Sequence, residues 1–188
     1  GTTNVLNNLN LTIKTGETKV IIGRSGVGKS VFLKNLIGLV KPDSGSIKIN
    51  GTEVTTLTEK EYDKVRMEIG MVFQGGALFD SLTVAENVSF VLDEFLKLDK
   101  KTVQDKVEDA LAMVGLQGIG HLMPSQLSGG MKKRVSLART LCMEPEILLY
   151  DEPTSEIDPI TADAINNLII ELRDKLKVTS IVVTHDMN

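Results

Sequence analysis

The sequence predicts an α/β fold. Its parts are a mostly parallel sheet covered by helices on both faces, a small flanking antiparallel β unit and an inserted helical segment. Three observations carry this. Short apolar runs at 19–22, 69–73, 147–150 and 179–183 alternate with stretches of helical periodicity, and such alternation builds a parallel sheet. The first run passes through a glycine-rich turn directly into a helical stretch. Asn50-Gly51, set beside the alternating Ile47-Lys-Ile49, is a strong hairpin signal.

In chain order, residues 9–13 alternate apolar and polar, as a half-buried strand does, and are expected to pair with a strand at 5–6. Thr15-Gly16-Glu17 turns the chain into the first core strand, 19–22, and residues 31–39 read as a helix. Lys41-Pro-Asp-Ser-Gly45 is dense in turn residues, and the hairpin at 47–51 follows. A polar helical connector is expected at 58–66, then a buried strand at 69–73 that ends at Gln74.

Thr83-Val-Ala-Glu86 is a capping box that opens a helix running to about residue 97. A second amphipathic helix covers 102–114, and Gly115 stops it. Helical character resumes at Gly129 and runs to about 143, so residues 81–127 read as a helical insertion. An apolar strand at 147–150 ends in Asp151-Glu152, and the helix at 159–175 carries Ile165, Leu168, Ile169 and Leu172 on one face. The last strand, 179–183, leads to Thr184-His185. The expectation is one domain spanning residues 1–188, with both ends reading as cut within it.

Composition bounds what such a domain does. At 188 residues the chain can bury a real core. A net charge of −4 gives no support to binding nucleic acid through a basic face. Cys142 is the single cysteine, which excludes a disulfide framework and a multi-cysteine zinc site, and its apolar neighbours point to core packing. No apolar run approaches the ~18 residues of a membrane span.

The turn at Gly23-Arg24-Ser25-Gly26-Val27-Gly28-Lys29-Ser30 matches the phosphate-binding loop, a Gly, four residues, then Gly-Lys-Ser. Glycines leave room for a phosphate and accept positive φ. Successive N–H groups then form an anion nest, strengthened by the start of the next helix. In this pattern Lys29 reaches the β- and γ-phosphates and the Ser30 hydroxyl ligates Mg²⁺. Ligands of open parallel sheets sit at the carboxyl ends of strands. Gly23, Gln74, Asp151 and His185 all stand at such ends. Asp151 is placed to hold Mg²⁺ opposite Ser30, and Glu152 to polarise an attacking water. Leu127-Ser128-Gly129-Gly130 opens a helix with a capping serine and two glycines, a second anion-binding helix start.

The loop at 23–30, Gln74, Leu127-Ser-Gly-Gly, Asp151-Glu152, Asp158 and His185 occur in the order and spacing of ABC-type ATPases. The chain resembles these nucleotide-binding subunits of ATP-binding-cassette transporters over essentially its whole length. The resemblance implies a phosphate-loop NTPase fold and hydrolysis of ATP with Mg²⁺. It implies two ATP molecules sandwiched in a head-to-tail homodimer, where each meets the loop of one subunit and the Ser128, Gly129 and Gly130 of the other. By the same resemblance Gln74 touches Mg²⁺ and the water and links to a membrane permease. His185 contacts the γ-phosphate, and Asp158 lies at the seam between subunits. The chain departs from the family pattern at Met131, where Gln is usual, and at Ser155-Glu-Ile-Asp158, where smaller residues are usual. The adenine-stacking aromatic would lie upstream, and the first aromatic here is Phe32.

Val72-Phe-Gln-Gly-Gly-Ala-Leu-Phe79, Leu-Ser-Gly-Gly-Met131 and Asp151-Glu-Pro-Thr-Ser155 further resemble the ATPase of Mla-type phospholipid transporters. That implies a permease with an MCE-type substrate-binding partner, and a position on the cytoplasmic face of a bacterial inner membrane. Three other readings compete. An importer ATPase for another small solute has the same motifs. A non-transport ABC ATPase acting on DNA or ribosomes lacks support, because no heptads or zinc cysteines are present. A nucleotide kinase leaves the Leu-Ser-Gly-Gly and His185 unexplained.

Overall fold

A computed structural model describes residues 4–185. Four parallel strands form the central sheet: β1 (Thr18–Ile22), β4 (Ile69–Val72), β5 (Ile147–Asp151) and β6 (Thr179–Thr184), in the order β1-β6-β5-β4. Register runs Ile22 opposite Thr184, Asp151 opposite Val183 and Val72 opposite Tyr150. The carboxyl ends of all four strands are therefore level with one another.

The period of two along each strand divides the core into two layers. Leu149, Ile181 and Val183 point to one face, where they pack with Leu33, Ile37, Tyr62 and Val65. Those residues come from α1 (Lys29–Leu36) and its C-terminal turn and from α2 (Glu59–Met67). Leu148, Tyr150 and Val182 point to the other face. There they meet α3 (Val84–Phe95), α4 (Lys100–Met113), α5 (Gly129–Leu141) and α6 (Pro159–Leu176). Covering both faces explains why these strands read as continuous apolar runs.

The hairpin stands where Asn50-Gly51 predicts it, between β2 (Lys48–Ile49) and β3 (Thr52–Glu53). Asn50 and Gly51 take φ of 48° and 80°, the two left-handed positions a tight hairpin turn of this kind needs. α2 is fixed to the end of α1 by Arg66 Nε donating to Ile37 O at 2.9 Å and Tyr62 Oη to Leu36 O at 3.1 Å. α3 begins at the expected box, with Thr83 N–H donating to Glu86 Oε2 at 2.7 Å. α4 begins earlier than its periodicity suggests, because Asp99 accepts from the N–H groups of Lys101 and Thr102.

One expected element does not form. Residues 5–6 and 9–13 are not strands, and the described residues hold only the four-stranded sheet and the two-stranded hairpin. Ile13 packs against the α1–α2 layer, but Val5, Leu9 and Leu11 are exposed. With these apolar side chains left exposed, alternation alone does not offset the entropy of ordering a strand.

Candidate functional site

The turn from β1 to α1 is held open by backbone conformation. Gly26 and Gly28 have φ of 81° and 102°, and Gly28 occupies the position before the first helical residue. The first N–H groups of α1 therefore face the loop without a side-chain cap. A β-carbon at Gly28 would sit 2.8 Å from Val5 Cγ1, so the chain preceding β1 also requires glycine there. At its entry the loop is tied to the sheet, with Gly23 N–H donating to Thr184 O at 3.1 Å.

Lys29 is buried and its ammonium is the centre of the site. It donates to Gly23 O at 2.6 Å and Arg24 O at 3.1 Å, and lies 3.1 Å from Glu152 Oε1. The other oxygen of Glu152 accepts from the backbone N–H of His185 at 3.1 Å and lies 2.8 Å from its Nδ1. Burial is the largest influence on the Glu152 carboxyl and pushes it up, but Lys29 and the His185 contacts together hold it below its usual range. Glu152 also takes a left-handed backbone, φ 49°. Its N–H donates to Val183 O at 2.9 Å, and its carbonyl accepts from Ser155 Oγ at 2.9 Å. A non-glycine residue held in such a conformation costs of order 1 kcal/mol, and such residues cluster at functional sites. Here the conformation aims the side chain back over the loop.

Ser30 Oγ donates to Asp151 Oδ1 at 2.9 Å. The pair presents two hard oxygens, one from the loop and one from the end of β5. Among the described residues no cluster of three or more acidic, His or Cys side chains could hold a metal by itself. That donor set suits Mg²⁺, which is typically bound by one or two protein oxygens together with substrate phosphates and water.

The remaining expected site residues lie apart from this centre or do other work. Ser128 is exposed and caps α5, its Oγ accepting from Met131 N–H at 3.3 Å. The hydrogen bond that the Ser128 side chain makes is this cap, and a β-carbon at Gly129 would meet Ile157 and not the loop at 23–30. Gly130 has a reason within the chain: a β-carbon there would lie 2.5 Å from Thr161 Cγ2 on α6. Asp158 caps α6, accepting from Thr161 N–H at 3.0 Å and Thr161 Oγ1 at 2.6 Å. Gln74 is exposed, with Nε2 3.4 Å from Glu156 Oε1.

Three further residues shape the loop after Gln74 and carry no motif that would have revealed them. Lys133 on α5 donates to Gln74 O. Arg139, also on α5, donates to Gly76 O at 2.9 Å and Ala77 O at 2.7 Å. Asn87, fully buried on α3, accepts from Phe79 N–H at 2.8 Å and donates to the carbonyls of Phe79, Leu82 and Thr83.

The chain is similar in sequence and in fold to known proteins. The ABC transporter family model matches residues 6–155. The chain is 42% identical over 188 residues, all of its length, to a probable ribonucleotide transport ATP-binding protein, mkl, of Mycobacterium tuberculosis. It is 46% identical over 187 residues to the methionine import ATP-binding protein MetN of Clostridium tetani. It covers 52% and 58% of these two relatives, so it spans about half their length. It is 40% identical over 183 residues to the intermembrane phospholipid transport ATP-binding protein MlaF of Haemophilus influenzae, covering 97% of this chain and 69% of that protein. Among solved structures, the dimeric ATP-binding cassette MJ0796, in a post-hydrolysis state bound to ADP and Pi, matches with a TM-score of 0.88 and 37% identity. That match covers 98% of this chain and 81% of the other.

Proposed function

This chain belongs to the ABC transporter family, and from that membership we propose that it is the ATP-binding and ATP-hydrolysing subunit of a transporter. It would drive an integral-membrane permease from the cytoplasmic face. The observation that carries the reading is the chain of contacts from the loop through Lys29 to Glu152 and His185, with Ser30 and Asp151 paired beside it.

Each group has work that its placement suits. Backbone N–H groups of residues 23–30 and the start of α1 receive the phosphates. Lys29, held on loop carbonyls and Glu152, exchanges those partners for phosphate oxygens. Ser30 and Asp151 would hold Mg²⁺, with Gln74 reaching toward it from just past the end of β4, and the bound ion would supply charge neutralisation for the transferring phosphoryl group. Glu152, kept ionised despite its burial, accepts a proton from the attacking water. His185 orients that carboxylate through its backbone and ring and faces the γ-phosphate. Ser128 and Gly129 are exposed and apart from their own chain's loop, which supports their serving a second copy in a head-to-tail dimer. In that dimer the Asp158 turn lies at the seam. The described chain is then one nucleotide-binding domain, with residues 81–127 as its helical insertion.

For the transported substrate we propose a phospholipid or another lipid-like molecule. The support is the likeness to MlaF together with Met131 and the Val72–Phe79 stretch. An MCE-type substrate-binding protein would then complete the complex. A second reading, import of a small solute, draws on the likeness to MetN. No helix among the described residues is long and apolar enough to cross a membrane. The test is to purify the ATPase with the permease it retains and measure hydrolysis with candidate substrates. Stimulation by phospholipid supports the proposal. Stimulation by methionine or a ribonucleotide, with phospholipid inert, overturns the lipid assignment and leaves the ATPase reading standing.

A further inference from the structure

The helix that opens with Ser128-Gly-Gly also holds the loop that carries Gln74, and it does so through two cations, Lys133 and Arg139. Lys133 is 7% exposed, an uncommon burial for an ammonium, and its hydrogen bond goes to the carbonyl of Gln74 itself. Further along the same helix, Arg139 takes the carbonyls of Gly76 and Ala77 at 2.9 and 2.7 Å. Gly76 is buried against the same helix, where a β-carbon would meet Lys132 O at 3.6 Å and Ser136 Cβ at 3.8 Å. From the other side Glu156 lies in the field of Lys133 and 3.4 Å from the Gln74 amide.

We propose that Lys133 is a positioning residue for Gln74, clamping its backbone to α5 with Arg139 as the second jaw and Glu156 steering the amide. A buried cation gains enough from charge-assisted hydrogen bonds only if its acceptors are fixed, so Lys133 and the Gln74 carbonyl hold each other in place. The consequence is mechanical: displacement of the start of α5 is transmitted within one chain to Gln74. The inference rests on the reading of Gln74 as the residue that meets Mg²⁺ and the attacking water.

The test uses the full chain and two independent readouts. Lys133→Met keeps the apolar stem and removes the charge, and Lys133→Arg restores it. Amide exchange of residues 74–79 is expected to rise at least tenfold in Lys133→Met and Arg139→Met and to return toward wild type in Lys133→Arg. Hydrolysis rate as a function of Mg²⁺ is measured for Lys133→Met, Gln74→Ala and the double variant. Misplacement of a positioned group costs up to about 10²-fold, so Lys133→Met is expected to lower kcat by about 10- to 100-fold and raise the Mg²⁺ half-saturation. The double variant is expected to be no worse than Gln74→Ala alone. Unchanged exchange at 74–79, or losses that multiply in the double variant, overturns the proposal. If the wild-type chain neither binds nor hydrolyses ATP, the reading of the site fails, while the exchange experiment still decides the clamp.

Discussion

The ammonium of Lys29 and the carboxylate of Glu152 lie 3.1 Å apart, both buried, at the level carboxyl ends of β1 and β5. Two residues far apart in sequence thus form one ion pair; in the proposed mechanism its cation meets phosphate and its anion the attacking water. The pair keeps each charge buried but available.

Lys29→Ala removes the loop's own cation. Hydrogen bonds to charged groups are worth about 1.5–3 kcal/mol, so ATP affinity is expected to fall about 10- to 100-fold by calorimetry. Unaltered affinity would refute the assignment of residues 23–30.

Acid should separate wild type from Glu152→Gln. The folded carboxyl lies below its ordinary value of 4.5. Its ionised form therefore contributes stability above about pH 4.5, and this is lost as pH falls through the depressed value. Urea unfolding from pH 7 downward is expected to show wild type losing stability faster than Glu152→Gln below about pH 4.5. Parallel curves across that range would show that Lys29 and His185 do not favour the charged form.

Gly130→Ala tests whether the second glycine of the pair is there for packing. Its β-carbon would meet Thr161 Cγ2 at 2.5 Å, and overpacking of this kind typically costs about 1–3 kcal/mol. Thr161→Ser removes the methyl but keeps the hydroxyl that donates to Asp158 at 2.6 Å. The double variant is therefore expected to recover most of the thermal stability lost in Gly130→Ala. No recovery would place the demand for glycine outside this contact.

The contrast between what the sequence reveals and what it hides is physical. The strands, the hairpin at Asn50-Gly51 and the positions of Gly23, Gln74, Asp151 and His185 at or just past strand ends are legible, because apolar period and turn chemistry are local. Ser30, Asp151 and Glu152 are expected as site residues from their motif positions, and the structure brings Ser30 to Asp151 and Glu152 to Lys29. The strand expected at 9–13 does not form, because alternation marks a face that could be buried and not whether anything buries it; Leu9 and Leu11 stay exposed. The resemblance implies a seam position for Asp158, and its capping of α6 adds a structural duty that Asp before Pro159 signals. Lys133, Arg139 and Asn87 were not legible at all. Their partners are backbone carbonyls of a distant loop, and a carbonyl leaves no mark on the sequence.

Glu152→Gln gives the most direct measurement of the central claim, with nucleotide binding, turnover and sedimentation followed on the same sample in saturating Mg-ATP. Loss of the accepting carboxylate is expected to slow hydrolysis by about 10²- to 10⁴-fold while ATP stays bound and the chain sediments as a dimer. A variant that hydrolyses at the wild-type rate, or that remains monomeric with ATP bound, would contradict the account.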